Sequence, residues 1–336
     1  MSEETPAPDP QKPPVRRPRR RWLRRVLLVL LALFLLLAIF HRPIIFEGSR
    51  YFIVRAAKQQ HLDLTYEIGG SIFSSLYFTR LKAVPTEPGP IDQLEIGTIR
   101  LQYSLWGLFR KGLPALLKTV EIKDAFIGLT PAEPLPPEKE EKPQRFKFPA
   151  LFPEILRIEN GNFVSQAPGG DTKLEGFTFT LLPDRTGTFA IKTLDIPGVR
   201  RWTDISAETT FRDRNLFLKN LVVGPEIAVD VLNLDASRLD ENQLGLGFEG
   251  TLFQGRTKLT AKVDDLNDTN KLALRLDVTG LSLHVLSAYL NLALPVQAEI
   301  PSVHVAFDGL PEKPESWTGK VDVALTGVTA DAIQAG

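Results

Sequence analysis

The 336-residue sequence contains no cysteine, so disulfide bonds, thiolate catalysis and cysteine-based metal sites are excluded. Histidine is scarce as well, and its copies show no i, i+4 pairing. Zinc-protease, P-loop, nucleophile-elbow and dinucleotide-binding motifs are also missing. We therefore predict a protein that is not an enzyme and that uses no cofactor and no metal. An envelope hydrolase with paired carboxylates stays a minor alternative, because no particular pair of carboxylates stands out. The histidines are His41, His61, His284 and His304.

The overall charge of zero conceals an uneven distribution. Residues 1–25 hold eight basic and three acidic side chains, a net charge of +5, which leaves −5 for the rest of the chain. A basic tail can bind nucleic acid, but this tail runs directly into a hydrophobic segment. Membrane topology is therefore the better explanation, and no nucleic-acid partner is predicted.

The only long apolar run is VLLVLLALFLLLAIF, residues 26–40, and its neighbours can extend it to the length of a membrane span. A cleaved signal peptide is the alternative. The following HRPIIFEG, however, lacks the small residues that cleavage needs, so we predict an uncleaved anchor over residues 22–46. Its characteristic residues are Trp22, Val26, Leu30, Phe34 and Phe40. The arginines that precede the run predict a cytoplasmic N-terminus and a body outside the inner membrane. They are Arg16, Arg17, Arg19, Arg20, Arg21, Arg24 and Arg25.

Beyond a helical stretch at 43–60, most of the chain alternates between apolar and polar residues, as half-buried strands do. Short segments separated by turn residues indicate an antiparallel meander. Periodicity alone leaves a sandwich, a closed barrel and an open curved sheet as alternatives. The predicted strands are 62–68, 72–84, 94–103, 119–129, 155–159, 173–182, 188–194, 204–211, 215–223, 227–234, 243–250, 256–263, 271–279, 296–307 and 320–325.

The clearest alternation is in residues 271–279, where four apolar side chains share one face and four mainly polar ones the other. Similar faces recur in the strands before and after it. A packed core is the simplest explanation for such faces. The residues that we assign to this apolar face are Leu216, Leu218, Val229, Val231, Leu244, Leu246, Phe248, Leu272, Leu274, Leu276, Val278, Val303, Val305, Phe307, Val321 and Val323.

Three segments depart from the strand pattern. Residues 104–118 suggest a short amphipathic helix interrupted near Pro114, and residues 283–290 suggest another short helix. Residues 131–153 contain seven prolines and a run of charges, which is typical of a surface loop. Together with the basic tail and the apolar run, these segments divide the chain into five predicted regions. They are a disordered cytoplasmic tail at 1–21, the anchor at 22–46, a β/helix module at 47–130, the loop at 131–153 and a repetitive β segment at 154–336.

Residues 23–129 resemble the N-terminal region of the AsmA-like family, and within it the TamB branch. An anchor leads into RYFIVRAAKQQHLDLTYEIGGSIFSSLYFTRLKAV, which combines a helix, a strand, glycine and a second strand. The next stretch, IGTIRLQYSLWGLFRKGLPALLKTVEIKDAFIGL, places a short helix with basic residues between two strands. The segments ILRIENGNFV and FRDRNLFLKNLVVG are similar to the repeats found further along such proteins.

The resemblance implies a mainly β protein in which one transmembrane helix is followed by an elongated, curled antiparallel sheet with a few short helices. Such a taco-like sheet encloses a hydrophobic groove, which the apolar residues named above would line. About fourteen strands at about 4.8 Å spacing would give a groove near 67 Å long. Relatives of this kind usually exceed a thousand residues, whereas this sequence ends at Gly336, so we expect a truncated chain or a short relative.

The function implied by the resemblance is phospholipid transport between the inner and outer membranes of a bacterium. The partners would be phospholipid and the inner membrane, and residues 104–118 would sit at the membrane exit. The alternative is an inner-membrane scaffold that assembles outer-membrane proteins through exposed strand edges and contacts an outer-membrane barrel. In both cases the protein is a single-pass inner-membrane protein with most of its mass in the periplasm.

Overall fold

A computed structural model of the chain describes most residues after position 60. The chain divides into two compact units, Met1–Tyr51 and Phe52–Gly336, and nearly all the described residues belong to the second. The described residues are 47, 50, 51, 53–55, 57, 58, 61–71, 74–87, 91–130, 151–167, 169–266, 269–289, 296–310 and 313–330.

The predicted cytoplasmic tail and membrane anchor lie outside these residues. The same holds for Trp22, Val26, Leu30, Phe34 and Phe40, for the arginines between 16 and 25, and for residues 131–150 of the predicted loop. Within the part of the chain that the structure describes, no helix combines the length and apolar character needed to cross a membrane.

The second unit is mainly β, and its described strands form one large open sheet in which every strand lies beside its neighbours in sequence. The sheet does not close, because β1 and β15 form its two outer strands. The strands are β1 (Leu62–Ser71), β2 (Ser75–Pro85), β3 (Ile91–Tyr103), β4 (Leu117–Leu129), β5 (Ile155–Ser165), β6 (Thr172–Leu181), β7 (Thr186–Ile196), β8 (Arg200–Arg212), β9 (Asn215–Gly224), β10 (Ile227–Asp235), β11 (Leu244–Leu252), β12 (Gly255–Asp264), β13 (Lys271–Ser282), β14 (Val296–Leu310) and β15 (Lys313–Ala330).

The prediction of a wholly antiparallel sheet is wrong at one junction. β4 and β5 pair in parallel, with Thr119 opposite Ile155 and Leu129 opposite Ser165, whereas the other neighbouring pairs are antiparallel. A parallel pair needs a connection of a dozen or more residues to return to the starting edge of the sheet. The long segment 130–154 supplies that length, so the sheet is mixed.

Six residues in the strands β2 to β9 have a left-handed backbone, and we call them the left-handed positions: Arg80, Asp124, Asn160, Gly176, Asp204 and Asn220. Left-handed residues within strands mark bulges, which bend the strand and increase its twist. Two of these positions meet on the neighbouring strands β4 and β5, where the Asn160 side-chain amide donates a hydrogen bond of 2.7 Å to the Asp124 carboxylate. The strands β2, β4, β5, β6, β8 and β9 are therefore interrupted along their length.

Two short α-helices lie between strands, as predicted. Helix α1 (Leu105–Lys111) and a 3-10 turn at Leu113–Ala115 connect β3 to β4, and α2 (Leu283–Tyr289) follows β13. A second 3-10 turn lies at Leu239–Glu241. The described residues between positions 47 and 58 are helical as well.

Candidate functional site: the apolar face of the sheet

The two faces of the sheet differ sharply in chemistry, because residues paired across neighbouring strands point to the same side. On one face, which we call the outer face, charged side chains form ladders. One such ladder crosses five strands in continuous register and consists of Glu249, Lys258, Asp277, His304 and Asp322.

Ion pairs connect neighbours within this ladder. The Lys258 ammonium lies 2.8 Å from the Glu249 carboxylate, and the His304 ring lies 2.7 Å from Asp277. The hydrogen bond with Lys258 lowers the pKa of Glu249, and the same bond raises the pKa of Lys258. All four side chains are exposed, so the outer face is a solvated surface rather than a binding site.

The other face is apolar across the whole sheet. Starting from Leu76, the strand registers define a line of fourteen mutually paired residues, one from each strand between β2 and β15, which we call the apolar row. Twelve are large and apolar, the other two are Gly187 and Thr209, and none carries a charge. The row is Leu76, Leu101, Val120, Leu156, Leu181, Gly187, Thr209, Leu218, Leu232, Phe248, Leu259, Leu276, Val305 and Val321.

The structure places fifteen of the sixteen predicted lining residues on this face. Leu218, Phe248, Leu276, Val305 and Val321 belong to the apolar row itself. The other ten pair with apolar-face neighbours in the same registers. They are Leu216, Val229, Leu244, Leu246, Leu272, Leu274, Val278, Val303, Phe307 and Val323.

Val231 is the exception. It pairs with Lys219 on one side and Glu249 on the other, and both belong to the outer face. A bulge at Asp230 shifts β10 by one residue between Val229 and Val231. Strict alternation from Val229 would place Val231 and Asn233 on the apolar face. Because of the bulge, Leu232 and Leu234 lie there instead.

The apolar face is only partly covered. All described strands belong to one sheet, so no second sheet packs over it in this part of the chain. Exposure varies along the row. Leu181 in β6 is 1% exposed, Leu276 in β13 is half-buried, and Val321 in β15 is 54% exposed. A closed core would bury all three, so this face is accessible along part of its length.

A cavity of about 410 Å³ opens on this face at β3 to β6. Its wall is almost entirely apolar, and such a wall suits hydrocarbon better than a polar ligand. The cavity lies beside the parallel β4–β5 pair. The lining residues are Leu94, Ile96, Ile122, Ala125, Ile127, Ile158, Gly161, Asn162, Phe163, Leu174 and Phe177.

Sequence reasoning missed these lining residues because alternation slips by one position in each of their strands. In β3 the apolar pair Leu94 and Ile96 is followed three residues later by Ile99 and Leu101, around Gly97. In β4, Val120 and Ile122 precede Ala125 and Ile127, around the left-handed Asp124. Two apolar pairs separated by a central glycine, asparagine or aspartate are the signal that could have found this half of the face.

Helix α2 brings an aromatic cluster onto distant strands. The Trp202 ring nitrogen in β8 donates a hydrogen bond of 2.8 Å to the Tyr289 hydroxyl at the end of α2. The Tyr289 ring also lies 4.9 Å from the Phe253 ring and 4.7 Å from the Arg200 guanidinium. Tyr289 is buried, so α2 connects the segment after β13 to β8 across the intervening strands.

Among the described residues, no group of three or more His, Asp or Glu side chains could hold a metal ion. No protein-family model, curated protein or solved structure matches this chain. The resemblance to AsmA-like proteins therefore stays a prediction that rests on the sequence patterns given above.

Proposed function

We propose that the apolar face forms a groove that binds phospholipid acyl chains, and that the protein conducts phospholipid between the inner and outer membranes of a bacterium from an inner-membrane anchor. The observation that carries this proposal is the apolar row: fourteen paired residues, none charged, on a face that no second sheet covers. In this proposal the open sheet is curled into an elongated, taco-like groove.

The physical basis is transfer of hydrocarbon from water to an apolar surface. Each buried methylene group stabilises the bound state by about 0.8 kcal/mol, so an acyl chain needs no specific polar partner. The headgroup stays in water at the open side of the groove. The fourteen strands of the row are separated by thirteen intervals of about 4.8 Å, which give it a length near 62 Å. This is several times the roughly 15 Å occupied by an acyl chain in one leaflet.

The test is mass spectrometry of lipids that copurify with the full chain after gentle extraction. The variant Leu274→Asp, Leu276→Asp places two charges on the apolar face of β13. The matched control, Ala273→Asp, Thr279→Asp, places the same charges on the outer face of the same strand.

We expect phospholipid with the parent and with the control, and at least a tenfold loss with the apolar-face variant while its circular dichroism spectrum is unchanged. Lipid-free parent protein, or equal lipid in all three proteins, would contradict the proposal. Unfolding of the apolar-face variant alone would point to a closed core instead of a groove.

A second candidate function, a scaffold for assembly of outer-membrane proteins, is supported by the edge of β15. This strand is hydrogen-bonded only to β14 among the described residues, and Val321 and Val323 on it are exposed. Long unpaired edges accept strands from other proteins. A photocrosslinker at Asp322 should then capture an outer-membrane barrel, whereas one at Arg212, the last residue of β8, should not. Absence of that product would leave lipid transport as the sole proposal.

A further inference from the structure

Helix α1 carries the most exposed aromatic surface in the described part of the chain. Phe109 is 81% exposed and Trp106 is 68% exposed, and Leu113 in the adjoining 3-10 turn is 55% exposed. These three large apolar side chains lie within eight residues of one another, so they are clustered in one segment of the chain. Surfaces of this kind mark contact sites with proteins or membranes.

Hydrogen bonds hold this segment in place at the ends of β3 and β4, so its side chains are exposed in an ordered conformation. The Ser104 hydroxyl accepts a hydrogen bond of 3.0 Å from the Gly107 amide and caps the helix. The Ser104 amide donates one of 2.8 Å to the Leu116 carbonyl, which closes the excursion between β3 and β4. The Tyr103 amide bonds to the Ser74 carbonyl at 3.1 Å and fixes the segment to the β1–β2 hairpin.

Gly107 shows how closely this excursion is packed. A Cβ atom at this position would lie 2.4 Å from the Ala115 carbonyl oxygen, so only glycine allows the helix and the 3-10 turn to approach so closely. The helix cannot therefore turn its aromatic side chains inward without breaking this contact.

Charge indicates what the exposed side chains contact. The last turn of α1 contains Arg110 and Lys111, and the helix contains no acidic residue. Neither cation forms an ion pair with a carboxylate among the described residues, and the Arg110 guanidinium lies 5.4 Å from the centre of the Trp106 ring. Lys118, the next basic residue, is already paired with Glu154.

Exposed tryptophan and phenylalanine beside unpaired arginine and lysine is the composition of a helix that lies in the interface of an anionic bilayer. We propose that α1 is a membrane-docking site, with Trp106 and Phe109 inserted among headgroups and Arg110 and Lys111 bound to anionic phospholipid. Leu101 and Val120 of the apolar row lie on the two strands that α1 connects. Docking thus brings the row close to a bilayer, but it does not require that the row carry lipid.

The test uses the natural absence of cysteine. The full chain carrying Phe109→Cys is labelled with an environment-sensitive fluorophore and incorporated into vesicles of phosphatidylcholine, with or without phosphatidylglycerol. Val222→Cys, at another exposed apolar residue, is the matched control on β9. A second version of each protein carries Arg110→Gln and Lys111→Gln.

At position 109 we expect a blue-shifted, brighter signal in vesicles that contain phosphatidylglycerol, with a water-like signal at position 222 in both kinds of vesicle. Each basic residue near an anionic surface contributes about a fivefold gain in binding, so the double glutamine variant should weaken docking roughly 25-fold. High salt should have the same effect.

A water-like signal at position 109 in anionic vesicles would overturn the inference. A blue shift that is equal in neutral vesicles and unchanged by the two glutamine substitutions would overturn it too. Such a result would mean that the apolar surroundings of position 109 do not depend on anionic lipid. Neither readout depends on lipid in the groove. Copurified phospholipid without docking would therefore refute this inference alone, and docking without copurified lipid would refute only the proposed function.

Discussion

Strands β2–β10 and strands β11–β15 present the same amphipathic pattern, but they bury it to different extents. In β2 to β10, interruptions in the middle of strands include the six left-handed positions, and the buried residues there include Leu181, Ile191 and Ile205. In β11 to β15, the left-handed residues described within strands are Gly280 and Gly327, near strand ends. We call these regions the interrupted half (β2–β10) and the regular half (β11–β15).

In both halves alternation decides which face is apolar. Interruption in the middle of strands accompanies the deepest burial of a large apolar side chain, at Leu181, although Val278 and Ile300 are buried in the regular half as well. A bulge allows the apolar pairs on both sides of it to point to one face while the strand bends. In the regular half the register shifts between β14 and β15 lie towards the strand ends, and Val321 on the outer strand β15 is exposed.

The largest expected effect tests this contrast with the same substitution in each half. Leu181→Asp places a charge at a fully buried site and should cost about 4 kcal/mol or more of the free energy of unfolding, whereas Leu276→Asp at a half-buried site should cost about 1–2 kcal/mol. Chemical denaturation followed by circular dichroism measures both. Equal losses would mean that both halves form the same kind of core.

A left-handed position gives the next largest effect. Asn160 has a φ of 57° and donates a hydrogen bond of 2.7 Å to Asp124. Asn160→Val should lose about 2 kcal/mol of the free energy of unfolding, because a β-branched residue disfavours this backbone and cannot make the bond. Asn160→Gly, the control, keeps the backbone and should lose only about 1 kcal/mol. A valine variant as stable as the glycine variant would show that these positions are not strained.

The bond between Trp202 and Tyr289 connects the two halves, so its removal tests whether they are coupled. Tyr289→Phe keeps the ring contacts with Phe253 and Arg200 and removes only the hydroxyl, at an expected cost of about 1 kcal/mol of the free energy of unfolding. Trp202→Phe and the double variant complete a mutant cycle. Additive losses in that cycle would exclude a direct contribution from the bond.

The smallest effect concerns the outer face of the regular half. The Glu249 pKa is lowered from 4.5, so its stabilising pairing is present above that pH and is lost as pH falls through the lowered value. The Lys258 pKa is raised from 10.5, so its contribution is lost as pH rises through the raised value. Glu249→Gln should therefore lower the melting temperature slightly between these limits and not in strong acid. If the lower melting temperature of this variant persists in strong acid, the loss comes from packing and not from charge.

Much of the fold could be predicted from the sequence, because strand alternation is a local signal. Each of the fifteen predicted strand segments overlaps an observed strand, and α1 and α2 were located correctly. Most of the residues predicted to line a groove share one face of the sheet for the same reason, since β11 to β13 keep an unbroken alternation in their central residues.

Other features depend on contacts that alternation does not encode. Val231 was misplaced because the sequence around Asp230 fits two alternations offset by one residue, and only pairing with β9 and β11 selects between them. The parallel β4–β5 pair depends on the path of a long connection, which has no apolar period. The cavity at β3 to β6 arises from side chains of four strands and needs the register of all of them.

The strand order has a consequence for how the sheet should lose its structure. Among the described strands, backbone pairing joins each strand only to its neighbours in sequence, so stability is expected to be close to a sum of nearest-neighbour couplings, as in repeat proteins. Most couplings are between adjacent strands joined by short turns. The β4–β5 coupling instead closes a loop of residues 130–154 and carries a larger entropic cost. Unfolding should therefore separate into two cooperative units that meet at this junction, β1–β4 and β5–β15.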